Sequence, residues 1–116
     1  MSNIIASVDN YNVPTVAAVF YTVPNNTQGV IQKATVTSRE AANTQLFTLY
    51  KVAPAGMPGT GNIIVYQKAI PPCTGGTGII DVPELVNQVL EPGYTLQAIM
   101  DAGADFYLNM AILEVN

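Results

Sequence analysis

The chain contains no histidine, no tryptophan and one cysteine, and it is short of charge: Lys and Arg number 4 and Asp and Glu 8 among 116 residues. Each shortage closes a class of function. Without histidine there is no His-based triad, no imidazole base and no histidine-ligated metal, which removes the zinc metalloprotease motifs. The single cysteine, Cys73, excludes an internal disulfide and a cysteine-rich zinc site. The four cations, Lys33, Arg39, Lys51 and Lys68, in a chain of net charge −4 cannot neutralise a run of phosphates, so nucleic acid is not an expected partner. No run approaches the ~18 apolar residues of a membrane span. Met1 to Ile5 lacks the basic and apolar regions of a secretion signal, and none is expected.

What is present is 49% hydrophobic residues, with Thr, Asn, Gln, Gly and Pro standing where charge is usual. Charged residues are 10%, against roughly 25% in an ordinary soluble domain. A folded chain of this mass exposes roughly 6,000 Å², about one charge per 500 Å². That is a thin cover, and it points to surfaces that partners bury. The length suits one core. Residues 16–116 are expected to form a single β-sandwich domain, preceded by an N-terminal arm or edge strand over residues 1–15.

Short runs rich in Val, Ile, Thr, Tyr and Phe alternate with Pro, Gly and Asn clusters about every ten residues, the signature of a β-sandwich or barrel. The runs are Val16–Val23, Gly29–Thr37, Thr44–Val52, Asn62–Ile70, Tyr94–Met100 and Phe106–Val115, with Ile79–Ile80 as a short addition. Strict alternation puts Val30, Ala34 and Val36 on one face of the second run, and Ile31, Lys33, Thr35 and Thr37 on the other. Residues 53–61 and 71–78 are too rich in Gly and Pro for a regular element and read as loops. The polar, glycine-containing stretch from Asp101 to Asp105 reads as the turn of a hairpin joining the last two runs. One short helix is expected near residues 82–90: Asp81 as N-cap, Pro83 in the first turn, Glu84 completing a capping box, and Leu85, Val86, Val89 and Leu90 at helical spacing. The fold class is therefore all-β, a single antiparallel sandwich of Ig-like or jelly-roll-like type with that one helix.

No constellation of residues calls for catalysis. Asp101 and Asp105 resemble a carboxylate pair, but Asp and Gly are also the ordinary turn residues. Asp81 and Glu84 are accounted for by capping. Gly75-Gly76-Thr77-Gly78 lacks the Lys-Ser/Thr of a phosphate loop, and Asp9-Asn10-Tyr11-Asn12 lacks the glycine and glutamate of a calcium loop. Ser38 has no base within a known pattern, and Cys73 has no histidine to activate it. Asn25-Asn26-Thr27 matches a glycosylation acceptor, which matters only in a eukaryotic secretory chain. No cofactor, metal or small-molecule ligand is expected. The six tyrosines admit a sugar-stacking platform, although they are scattered over separate strands.

Several strands are apolar on both sides, where a monomeric sandwich alternates with polar residues. Phe106, Leu108, Met110 and Ile112 oppose Tyr107, Ala111, Leu113 and Val115 in the last run. Outer faces of this kind suit subunit contacts. The interface candidates are Phe20, Tyr21, Met57, Tyr66, Tyr107 and Leu113. The two loops and residues 1–15 are candidates for reaching neighbouring subunits.

Leu90-Glu91-Pro92-Gly93-Tyr94 looks like the corner that enters the penultimate strand of Ig-like sandwiches. The longer stretch from Pro83 to Ala98, taken with Thr44-Gln45-Leu46-Phe47-Thr48-Leu49-Tyr50-Lys51-Val52, is similar to small structural proteins of tailed bacteriophages. There a strand of this type leads to a Pro/Gly loop, a short P-E-L-V helix, an L-E-P-G corner and a final hairpin. The likeness runs from about Val30 to Val115. It implies a non-enzymatic virion component assembled in the host bacterial cytoplasm, with itself and phage capsid or tail proteins as partners and no membrane. A capsid decoration or cement protein is the first expectation and a neck or tail ring subunit the alternative. A carbohydrate-binding or adhesin sandwich is the reading from a different class.

Overall fold

The computed structural model describes residues 3–39, 43–73, 79–102 and 105–115. The strands in chain order are β1 (Asn3–Asn12), β2 (Ala18–Thr22), β3 (Gln28–Ser38), β4 (Gln45–Val52), β5 (Ile63–Ile70), β6 (Ile79–Asp81), β7 (Val89–Leu90), β8 (Thr95–Met100) and β9 (Phe106–Val115). One sheet runs β1-β9-β3-β6, with β7 also pairing β3, and the other runs β2-β8-β4-β5. All pairings are antiparallel.

The pairs are nested. β4 pairs β5, β3 pairs β6 and β7, β2 pairs β8, and β1 pairs β9. The chain is thus one long hairpin ribbon with its tip at residues 53–62. The ribbon is rolled so that β9 also meets β3 and β8 also meets β4. That winding is a jelly roll and not the Ig-like order. The all-β sandwich expected from the sequence is present, with the jelly-roll alternative selected.

The core lies between the two sheets. Ile31 and Val36 of β3 and Phe106, Leu108 and Ile112 of β9 face Phe47 and Leu49 of β4 and Leu96 and Met100 of β8, all fully buried. Each such side chain contributes roughly 1.5–3 kcal/mol on leaving water. Val13, just past β1, is buried in the same core, and its N–H bonds the Phe106 carbonyl at 2.8 Å. No buried side-chain N or O atom among the described residues lacks a hydrogen-bond partner. The accessible surface is 6046 Å², in line with the size scaling for a folded chain of this mass.

Three expectations need correction. The helix near 82–90 is a single 3-10 turn, Pro83–Leu85, whose N-cap is Val82 with no side-chain cap. The segment is recruited by β3 instead. Asn87 turns in the left-handed region (φ 72), its N–H bonds Ile31 O, and Gln88 O accepts from Ile31 N. Val89–Leu90 then pairs Gly29–Val30, so Leu85 and Leu90 both end in the core. Second, β8 and β9 form no hairpin: they belong to opposite sheets, and their apolar rows face each other across the core. Residues 103 and 104 of that connection lie outside the described residues.

Third, strict alternation misassigns β3. A bulge between Ile31 and Lys33 shifts the register against β9, so Ile31 joins Ala34 and Val36 inside while Val30 turns out with Lys33, Thr35 and Thr37. An extra residue in one strand inverts the faces beyond it. β5 behaves likewise at Gln67 (φ 48), which places both Val65 and Ile70 inside.

Candidate interaction surface

The outer face of the β1-β9-β3 sheet is built by register. Ile5 of β1 stands opposite Leu113 of β9, Leu113 opposite Val30 of β3, and Val30 opposite Val89 of β7. Four apolar side chains therefore line up in one row across four strands. Ile5 is 60% exposed and Val89 43% exposed, with Leu113 and Val30 half-buried between them. No charged residue interrupts the row. Val115 lies beyond it, in register with Asn3 and Gln28.

The next row is polar, with Ser7 opposite Ala111 and Ala111 opposite Lys33. Asn109 and Thr35 come after it, and with Asp9 they line a shallow hollow. At the far end Tyr107 stands opposite Thr37 and Asn12, and Thr37 opposite Ile79, which is 65% exposed. The Arg39 guanidinium lies over the Tyr107 ring at 5.8 Å, a cation–π contact worth about 0.5–1 kcal/mol at an exposed site.

The outer face of the other sheet carries a smaller feature. Thr48, Tyr50, Tyr66, Gln67, Ile99 and Asp101 line a shallow hollow. The bulged N–H of Gln67 is satisfied by Thr48 Oγ1 at 3.1 Å.

The six interface candidates fall in different places. Tyr107 and Leu113 lie on the outer face of the β1-β9-β3 sheet. Tyr66 lies at the second hollow, and Met57 stands in the ribbon-tip loop, 81% exposed. Phe20 packs on Tyr11 with ring centroids 5.0 Å apart. Tyr21 points between the sheets, where its hydroxyl donates to Glu114 Oε2 at 2.5 Å. Burial first, then that hydrogen bond and the carboxylate's charge, hold the Tyr21 hydroxyl well above the ordinary tyrosine range. Burial also raises Tyr11. Of the row Ile5–Leu113–Val30–Val89, sequence reasoning singles out Leu113 alone. Alternation puts Val30 on the wrong face because the bulge at β3 has no signature in composition.

The candidate chemistries resolve into structure. The Asp101 carboxylate accepts the Leu46 N–H at 2.8 Å, while the Asp101 N–H bonds Leu46 O. Glu84 pairs with Lys68 at 3.3 Å. Asp9 accepts from the Ser7 hydroxyl at 3.2 Å in the bulged part of β1. Cys73 is free and exposed, and residues 74–78 of its loop lie outside the described residues. Among the described residues no group of three or more His, Cys, Asp or Glu side chains is placed to hold a metal, and no helix is long and apolar enough to cross a membrane.

No protein-family model and no characterised protein sequence matches the chain. Among solved structures, it is similar to a chain of the infectious bursal disease virus Gx strain, with TM-score 0.48 and 9% identity, covering 98% of this chain and 33% of that one. A chain of the Gt strain of the same virus gives TM-score 0.40 and 12% identity over 100% of this chain and 31% of that one. A chain of the T13 particle of that virus gives TM-score 0.39 and 10% identity over 97% and 30%. The chain spans about a third of the length of each.

Proposed function

We propose that this chain is a non-enzymatic structural subunit of a virion, most simply a capsid decoration or cement protein of a tailed phage that works by self-association and by binding capsid subunits. One observation carries the reading: the apolar row Ile5–Leu113–Val30–Val89 on an outer sheet face that nothing in the described fold covers. With only twelve charged side chains over 6046 Å², such a row is poorly tolerated by an isolated monomer. The resemblance of residues 44–52 and 83–98 to small structural proteins of tailed phages supports this class of assembly. The carboxylates of Asp9, Glu84 and Asp101 act in turns and inter-strand ties, which leaves the face as the chemistry to be used.

The test has two parts. Native mass is measured by light scattering over a hundredfold concentration range, and the purified chain is co-sedimented with phage capsids assembled without it. A discrete oligomer that also joins particles supports the reading. A monomer at every concentration that stays in the supernatant overturns it.

A second reading draws on Tyr50 and Tyr66, which with Thr48 and Gln67 line the hollow on the other sheet, a mix of aromatic and polar side chains that suits a sugar ring. A glycan array that retains the wild-type chain but not Tyr66→Ala would favour it.

A further inference from the structure

Among the described residues the two sheets have four edges, and three of them are protected. β2 is five residues long with a bulge at Phe20. β5 is bulged at Gln67 and flanked by the 3-10 turn, which ties to it through Lys68 and Glu84. β6 and β7 are three and two residues long and separated by Pro83. Short, bulged or charged edges are how sheets avoid pairing with further strands.

β1 has none of this protection in its first half. It is ten residues long, and among the described residues it pairs only with β9. Its bulge lies between Val8 and Tyr11, where the Asn10 N–H is taken by Asn109 Oδ1 at 2.8 Å. Tyr11 closes against Phe20 of the other sheet. Asn3–Val8 is thus a straight, uncharged edge. Ile4 and Ile5 point to opposite faces of it and are 55% and 60% exposed.

We propose that Asn3–Ser7 of β1 pairs antiparallel with the same segment of a second copy, about a two-fold axis at Ile5, so that two sheets become one. The proposal rests on the self-association reading and names its geometry. The occupant is set by self-complementarity. In this register Ile5 meets Ile5, Ile4 meets Ala6 and Asn3 meets Ser7, so every pair matches in polarity and no charge is opposed by its like. The row Val89–Val30–Leu113–Ile5 ends at this edge, and the two-fold continues it into its own copy across eight strands. Centring the pair on Ala6 breaks that row by setting Ile5 against Ser7. Centring it on Ser7 sets Ile5 against the Asp9 carboxylate and runs into the bulge. The apolar row therefore selects the register.

The test is disulfide trapping in the Cys73→Ser chain, which removes the exposed native thiol. Directly opposed strand residues bring their Cα and Cβ atoms within disulfide range. The Ile5→Cys variant should therefore oxidise to a covalent dimer at least tenfold faster than Ile79→Cys, an equally exposed position at the far end of the same face. The Ile5→Lys variant, read by native mass with circular dichroism to confirm its fold, should halve the mass of the dimer. An Ile5→Cys rate no greater than that of Ile79→Cys overturns the proposal. So does an oligomer that Ile5→Lys leaves intact, and in that case self-association through another surface still stands. A wild-type chain that is monomeric at all concentrations removes both.

Discussion

The Tyr21 hydroxyl and the Glu114 carboxylate meet at 2.5 Å across the gap between the two sheets, β2 on one side and β9 on the other. Gly29, the register partner of Glu114, sits beneath the contact. A Cβ there would stand 3.2 Å from Ile112 Cγ2 and 3.6 Å from the Tyr21 oxygen. A side chain at this position would press first on Ile112, while the Tyr21 oxygen stands at ordinary contact distance from it.

That contact gives stability a defined pH dependence. The Tyr21 hydroxyl titrates above its ordinary value of 10.0 in the fold because of burial, then the bond to Glu114 and its charge. The unfolded chain releases this proton near pH 10.0, whereas the folded chain keeps it. The contribution is therefore complete below pH 10 and is lost as pH rises beyond it. Tyr21→Phe should cost about 1 kcal/mol at neutral pH, and its difference from wild type should shrink above pH 10. Urea midpoints between pH 7 and pH 11.5 check this. A difference that does not change with pH would refute the assignment.

Gly93 has φ +83, and a Cβ on it would lie 2.9 Å from Pro54 Cγ. The L-E-P-G corner and the root of the ribbon-tip loop are thus packed on one another. Gly93→Ala should destabilise by about 1–3 kcal/mol through the left-handed backbone and the clash together. Adding Pro54→Ala should recover the clash component only. Thermal unfolding of the two single variants and the double variant separates the two causes.

Leu85 is fully buried although its segment is only a 3-10 turn. Leu85→Ala should cost about 2–5 kcal/mol, a large share of the roughly 5–15 kcal/mol that holds a domain folded. A cost below about 0.5 kcal/mol, the level of a surface change, would mean that the turn does not plug the core. Chemical denaturation measures it.

On the outer row, Leu113→Lys should cost about 1 kcal/mol of monomer stability yet weaken self-association more than tenfold. Sedimentation equilibrium combined with denaturation distinguishes the two effects. Equal loss in both would assign Leu113 to the core of its own subunit instead.

The β class, seven of the strands and the inward row Phe106, Leu108, Met110 and Ile112 were legible because each depends on local pattern: β-branched and aromatic runs, breakers between them and a period of two along β9. The exclusions drawn from missing histidine and scarce charge were equally local, since composition does not depend on folding. The faces of β3 and β5 were not legible. A single bulged residue at Gln32 or Gln67 inverts the faces of the residues beyond it, and its placement is decided by pairing with β9 or β4 rather than by the residue itself. The helix at 82–90 failed for the same reason, because the backbone of β3 at Ile31 offered that segment hydrogen bonds at Asn87 and Gln88 that outweighed its helical spacing. The row Ile5–Leu113–Val30–Val89 joins residues from four strands distant in sequence, so only the rolled ribbon could assemble it. Side-chain chemistry sets which residues seek burial, and non-local register determines which of them remain outside.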